Sequence, residues 1–181
     1  YPALTVRLLH ATGRPELQQL AGQLGCRYRA RAEHAHAKAG NLNAALPLLQ
    51  GELVAVLDAD VVPQRMFLER TVSLLEQDSS AALVQTPQSY MNADPVLRNL
   101  QLERWLLPDE ESFYRWVEPV RQGVGAVVCA GTSFVVRRRA LMAVGGFETG
   151  TPSEDLATGI RLAAAGWRLQ ARGWWLQASG W

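Results

Sequence analysis

The sequence predicts an α/β fold: a mostly parallel mixed sheet flanked by helices, of the doubly wound, nucleotide-binding kind. Three observations carry that expectation. Short apolar runs alternate along the chain with longer stretches of helical period, the pattern of a sheet built from β–α units. One run, Leu53-Val54-Ala55-Val56-Leu57, is continuous enough to be a buried strand and ends in Asp58-Ala59-Asp60. Ligands of open α/β sheets bind just outside the carboxyl ends of strands, where this carboxylate pair falls. Finally, neither G-x-G-x-x-G nor G-x-x-x-x-G-K-[ST] occurs, which disfavours dinucleotide and ordinary ATP chemistry.

Each element follows from local chemistry. Leu4 to Leu9 alternates as a strand does, and His10-Ala11-Thr12-Gly13 ends it. Arg14-Pro15-Glu16 opens a helix, with Pro in the first turn and Glu near its positive end. Leu17, Leu20 and Leu24 would carry its apolar face, and Gly25 stops it. Cys26 to Arg29 is a short second strand, and His36 to Leu49 reads as a helix with Pro47 near its end or at a kink. The Asp58 strand is followed by Pro63 and an amphipathic helix through Met66, Phe67, Val72, Leu74 and Leu75.

Ala81 to Gln85 is another buried strand. Asp94-Pro95 starts a helix running to about Leu107, by the capping and first-position rules. Ala126 to Cys129 and Ser133 to Val136 read as strand pieces around Ala130-Gly131-Thr132, and Arg137 to Arg139 leads into a short helix closed by Gly145-Gly146. Ser153 should cap a last helix with apolar residues Leu156, Ile160, Ala163, Ala164 and Trp167.

The bulk composition narrows the function classes. The chain has 181 residues, of which 48% are hydrophobic and 19% charged, enough for one globular domain over 1–181. A net charge of +1 gives no electrostatic case for nucleic acid. No apolar run reaches the roughly 18 residues of a membrane span; the longest, 123–136, is broken by Thr132 and Ser133. The first residues begin inside a strand pattern and both ends look cut, so the expectation is a soluble piece from the middle of a longer protein. Cys26 and Cys129 match no metal spacing and read as isolated thiols. Seventeen of the eighteen basic residues are Arg, and Lys38 is the only Lys.

Three segments carry candidate chemistry. In an extended backbone, residues two apart point the same way, so Asp58 and Asp60 can face one cation. Hard carboxylate oxygens suit Mg²⁺ or Mn²⁺, commonly completed by phosphate oxygens of a substrate. Taken alone, the pair is more readily an Asp-rich turn that follows a strand. His36 to Asn43 is a helix start that also offers Lys38 and backbone donors to a diphosphate. Ser153-Glu154-Asp155 either serves the helix dipole or places a carboxylate as general base.

The segments HAKAGNLNAAL (36–46), GELVAVLDADVVP (51–63), VQTPQSYMNADP (84–95), CAGTSFVVRRRAL (129–141), GGFET (145–149) and SEDLATGIRLAAAGW (153–167) occur in an order that resembles the processive family 2 glycosyltransferases, and among them the cellulose synthases. That resemblance implies a GT-A fold and an inverting, metal-dependent transfer of glucose from a UDP-sugar donor to a glucan acceptor. It implies that Asp58 and Asp60 bind the donor through Mg²⁺ or Mn²⁺ and that Lys38 contacts the nucleotide. Asp155, matching the family's T-E-D aspartate, would deprotonate the acceptor hydroxyl. Gly131, Thr132 and Glu154 would border the acceptor. The implied partners are transmembrane segments of the same chain or other synthase subunits, at the cytoplasmic face of a bacterial inner membrane.

The sequence departs from the family pattern in three places. His10-Ala11-Thr12 stands where the family has Asp-Asp-Gly, so His10 takes the place of the carboxylate that holds the uracil. Ala130 stands where the acceptor loop has Cys, with Cys129 one place early, and Q-x-x-R-W is missing from the end of the chain. Trp174, Trp175 and Trp181 near that end suit either sugar stacking or apolar packing. The departures keep a second reading open: a catalytically degenerate GT-A domain with a binding or assembly role in a synthase complex.

Overall fold

The computed structural model describes residues 4–31, 33 and 35–171. In it, β1 (Arg7–His10) pairs in parallel with β2 (Arg27–Ala30), and a second sheet has the order β3-β5-β4-β6 from Leu53–Val56, Phe134–Arg137, Ala81–Gln85 and Arg168–Ala171. The expected mixed α/β architecture is present. Its parallel share is smaller than the β–α alternation suggested, because β5 runs antiparallel to both β3 and β4 while β6 is parallel to β4.

Burial explains which apolar runs became strands. In the centre of the sheet, all five residues of β4 are buried, as are the first three of β5. Side chains alternate between two cores. Phe134 and Val136 face one with Ala39, Leu46, Leu141 and Leu162. Val135 faces the other with Leu75, Val84 and the helix α3 (Phe67–Gln77). A strand covered on both faces needs apolar residues throughout, so β4 reads as a run rather than an alternation.

Helix α1 (Pro15–Gln23) has Pro at its start, and Gly25 at φ +68° ends it as expected. Cys26 N–H donates to Ala21 O and Gly25 N–H to Gly22 O, the two bonds of a Schellman cap. Its expected apolar face is not buried: Leu20 and Leu24 are exposed, and the buried residue is Ala21. Helix α2 (Ala37–Ala45) stops earlier than expected and continues as a 3₁₀ turn, Leu46–Leu48, around Pro47.

Helix α4 (Pro95–Asn99) is also shorter than the sequence suggested. Asp94 caps it, its carboxylate accepting from Val96 and Leu97 N–H at 2.8 Å each. Gln101, at φ +56°, then supplies the left-handed residue of another Schellman cap, with Leu102 N–H donating to Leu97 O. Because Gln rather than Gly occupies that position, the stop left no sequence signal.

The helical stretch that follows was not anticipated: α5 (Asp109–Ser112), a π-helical segment Phe113–Val117, and α6 (Glu118–Gly123). It displaces an expected strand. Residues 126–129 form no ladder, since Val128 N–H donates to the buried Glu118 carboxylate at 3.2 Å and Ala126 N–H to Arg121 O at 2.8 Å. Backbone groups satisfied in this way have no need of a neighbouring strand.

Helix α7 (Arg138–Ala143) ends at Gly145-Gly146 as expected. Ser153 precedes α8 (Glu154–Ala164), but its hydroxyl makes no capping bond. The buried face of α8 is Thr158, Gly159 and Leu162; the expected face leaves Leu156 and Ile160 exposed. Gly159 decides the rotation, because a Cβ there would lie 3.2 Å from the backbone nitrogen of Cys129. Among the described residues no helix is long and apolar enough to cross a membrane.

Candidate active site

Strand β3 stops at Val56, two residues before the carboxylate pair. Asp58 and Asp60 therefore lie on a turn, with Val61 N–H donating to Asp58 O at 3.2 Å, rather than on one side of an extended strand. Backbone turn geometry, not strand alternation, sets their relation. Asp58 is held from two directions. Its N–H donates to Thr132 Oγ1 at 2.8 Å, and its carboxylate forms an ion pair with Lys38 Nζ. Lys38, in the first turn of α2, also donates to Gly131 O at 2.6 Å.

These contacts gather around a cavity of about 230 Å³. Lys38, Asp58, Gly131, Glu154 and Asp155 line its polar side, and Leu42, Phe134 and Phe147 its apolar side. Asp155 lies in the first turn of α8, with its Oδ1 accepting from Leu156 N–H at 2.7 Å. Its Oδ2 points at Gly131, where a Cβ would come within 2.8 Å. Gly131 has φ +79°, so backbone conformation and space both require glycine.

Side chains outside the cavity brace this arrangement. Asn43 exchanges two hydrogen bonds with the backbone of Phe147, at 2.8 and 2.7 Å, tying α2 to the 145–149 segment. Glu148 accepts from Thr149 and Gly150 N–H at 2.9 Å each and pairs with Arg161 at 3.0 Å. The Gly150 and Thr149 amides hold its carboxyl below the usual range, with Arg161 adding to the effect. Thr158 Oγ1 accepts from Glu148 N–H at 2.8 Å and donates to Glu154 O at 2.6 Å, so the loop before α8 is anchored to the helix. Gln85, at the end of β4, binds the 130–132 loop through both atoms of its amide. None of Asn43, Gln85, Glu148 or Arg161 was singled out from the sequence. Gln85 and Asn43 did have a signal, as amides at the edge of apolar segments.

The expected site residues divide. Lys38, Asp58, Gly131, Glu154 and Asp155 come together, and buried Thr132 joins them through Asp58. Asp60 is exposed on its turn and His10 lies at the end of β1; neither lines the cavity. His10 Nδ1 is 3.4 Å from both the N–H and the hydroxyl of Thr12, and its ring stacks on Tyr28 with centroids 6.4 Å apart. Trp174, Trp175 and Trp181 lie outside the described residues. Cys129 also lines the cavity but is 2% exposed, and burial pushes its thiol up to about 12, away from the thiolate form.

The donor set fits a divalent cation only in part. Among the described residues no group of three or more His, Cys, Asp or Glu could hold a metal. Asp58 at the cavity and Asp60 two residues on along the turn could supply part of a shell, which suits Mg²⁺ or Mn²⁺ completed by water and phosphate oxygens rather than a closed protein cage.

The profile described as glycosyltransferase like family 2 matches residues 10–171. The chain belongs to that family. This family 2 chain is 36% identical over 159 residues to the cellulose synthase 1 catalytic subunit (UDP-forming) of Komagataeibacter xylinus, covering 88% of the chain and 21% of the relative. The corresponding subunit of Xanthomonas axonopodis pv. citri is 35% identical over 88% of the chain and 22% of its own length. The chain thus spans about a fifth of these two relatives.

Its solved neighbours include the mannosyltransferase PcManGT of Pyrobaculum calidifontis, in complex with GDP-Man and Mn²⁺ (TM-score 0.65, 22% identity, 94% of this chain and 46% of that one). S. aureus TarS with UDP-GlcNAc gives a TM-score of 0.68 at 11% identity, over 93% of this chain and 47% of that one. At such identities the likeness concerns the fold, which is GT-A.

Proposed function

We propose that this family 2 chain is the donor-binding and catalytic region of an inverting glycosyltransferase that adds glucose from UDP-glucose to a growing β-glucan. The observation that carries the proposal is the convergence of Lys38, Asp58 and Asp155 on one cavity, with Gly131 between them. Relatives named as UDP-forming cellulose synthases support the choice of donor and polymer. In the full-length protein the domain would work at the cytoplasmic face of a bacterial inner membrane, beside transmembrane segments of its own chain or other synthase subunits.

Asp58 and Asp60 would hold Mg²⁺ or Mn²⁺, which supplies Lewis acidity to the diphosphate of the leaving group. Lys38 adds a positive charge within reach of the same diphosphate. Asp155 takes the proton of the acceptor hydroxyl as its oxygen bonds to the sugar C1 and the C1–O bond to the diphosphate breaks, releasing UDP. Gly131 and Thr132 shape the wall along which the acceptor end approaches, and Glu154 borders it. Leu42, Phe134 and Phe147 give the cavity an apolar wall opposite these charges.

A second reading has its own observation. His10 offers the uracil no carboxylate, and its Nδ1 lies against Thr12. A buried N–H donor left unmatched costs about 1–3 kcal/mol, which favours a degenerate domain with a binding or assembly role. Calorimetry with UDP and Mn²⁺ separates the two. Binding at about micromolar strength, abolished by Asp60→Ala, supports the enzyme. Absence of UDP binding in the presence of Mn²⁺ supports the degenerate domain.

A further inference from the structure

We infer that Gln85 is a positioning residue for both halves of the site, acting through the 130–132 loop; the functional part of this inference rests on the glycosyltransferase reading above. Gln85 is the last residue of β4 and is 1% exposed, so none of its bonds is shared with solvent. Its Oε1 accepts from Ala130 N–H at 2.9 Å, and its Nε2 donates to Thr132 O at 2.9 Å and Thr86 O at 3.0 Å. One amide thus spans the loop from its first residue to its third and ties it to the sheet. A donor facing carbonyls and an acceptor facing an N–H fix which way the amide points.

The pinned loop touches each of the three candidate groups. Gly131 O accepts from Lys38, and Thr132 Oγ1 accepts from the Asp58 N–H. The bare Cα of Gly131 faces Asp155 Oδ2. Within itself the loop makes one backbone bond, Thr132 N–H to Ala130 O at 2.9 Å. Gly131 sits at φ +79° and Ser133 at φ +56°, and Ala130 itself lies in no strand. Glycine takes such a φ freely, but Ser133 does not; Thr86 holds Ser133 through its N–H and hydroxyl, and the buried Gln85 side chain holds Ala130 and Thr132. Displacements of about 1 Å in a catalytic group cost on the order of 100-fold in rate. A side chain that sets the position of three such groups therefore acts on turnover without touching substrate.

The test uses the full-length protein and two variants, Gln85→Met, which keeps the volume and removes the amide, and Gln85→Glu, which keeps the acceptor and removes the donor. Thr71→Ala is the control, because Thr71 is equally buried but bonds only within α3, to Phe67 O and Leu68 O. Hydrogen exchange without ligand is read first. Gln85→Met should speed exchange at the Ala130 and Asp58 amides by about tenfold, while Thr71→Ala leaves both unchanged. Under conditions where every variant is folded, kcat should fall on the order of 10- to 100-fold in Gln85→Met. It should also fall in Gln85→Glu, and stay within about twofold of wild type in Thr71→Ala. Gln85→Met with unchanged exchange at Ala130 and Asp58, or either Gln85 variant with wild-type kcat when folded, overturns the inference. Wild-type protein that binds no UDP with Mn²⁺ overturns the glycosyltransferase reading instead, and the exchange result still decides whether Gln85 sets the loop.

Discussion

Gly131 and Asp155 fit together only because Gly131 has no side chain: a Cβ there would stand 2.8 Å from Asp155 Oδ2. Gly131→Ala must therefore displace the Asp155 carboxylate or the loop, in addition to straining a backbone at φ +79°. The strain alone costs about 1–2 kcal/mol. The expected result is a matching loss in denaturant-unfolding stability and a fall in transfer rate of at least about 10-fold. Wild-type rates in the alanine variant would remove the close approach from the mechanism.

Asp155→Asn keeps the shape of the side chain and removes the proton acceptor. Transfer should fall on the order of 100- to 10,000-fold, while UDP binding with Mn²⁺ stays within about threefold of wild type by calorimetry. Retained transfer would reject Asp155 as the base.

The Lys38 ammonium is paired with the Asp58 carboxylate, which a divalent cation would share. Lys38→Met removes that competing charge. It should tighten Mn²⁺ alone several-fold and weaken UDP with Mn²⁺, because the diphosphate loses a counter-charge. Titration of Mn²⁺ by electron paramagnetic resonance, with and without UDP, reads both signs. A change in the same direction in both titrations would contradict the pairing.

Burial raises the Glu118 carboxyl above its ordinary value of 4.5. Its Oε1 accepts from Val128 N–H, and its Oε2 is buried with no partner. A group whose folded pKa is raised stabilises the fold below the unfolded pKa and loses that contribution as pH rises through the folded value. Glu118→Gln should therefore raise the melting temperature at pH 8 and change it little near pH 4, read by thermal unfolding at both. A lower melting temperature at pH 8 would contradict the buried, uncompensated charge.

Alkylation separates the two thiols. Cys129 is buried, and burial pushes its pKa to about 12, while Cys26 is half-buried at the end of α1. Iodoacetamide at pH 8 should label Cys26 in the folded protein and reach Cys129 only after denaturation, as read by peptide mass spectrometry. Labelling of native Cys129 would mean that α8 does not close over it.

The sequence alone marked the candidate site residues and roughly where strands and helices lie. Lys38, Asp58, Gly131 and Asp155 were legible because each sits in a segment of a family-like pattern, and β4 because a strand buried on both faces must be continuously apolar. Tertiary structure decided what those patterns leave free. The direction of β5, the buried face of α8 and the loss of strand 126–129 depend on contacts between separate segments of the chain: Val54 with Val136, Gly159 with Cys129, Glu118 with Val128. A periodic pattern identifies a surface that is apolar, but a different surface is buried when a glycine permits closer approach. Tertiary structure likewise paired Asp58 with Lys38 and set the Gln85 amide, at the end of β4, against the 130–132 loop that touches both. The Gln85 bonds to Ala130 and Thr132 cross 45 and 47 positions, a distance over which local sequence preference carries no information.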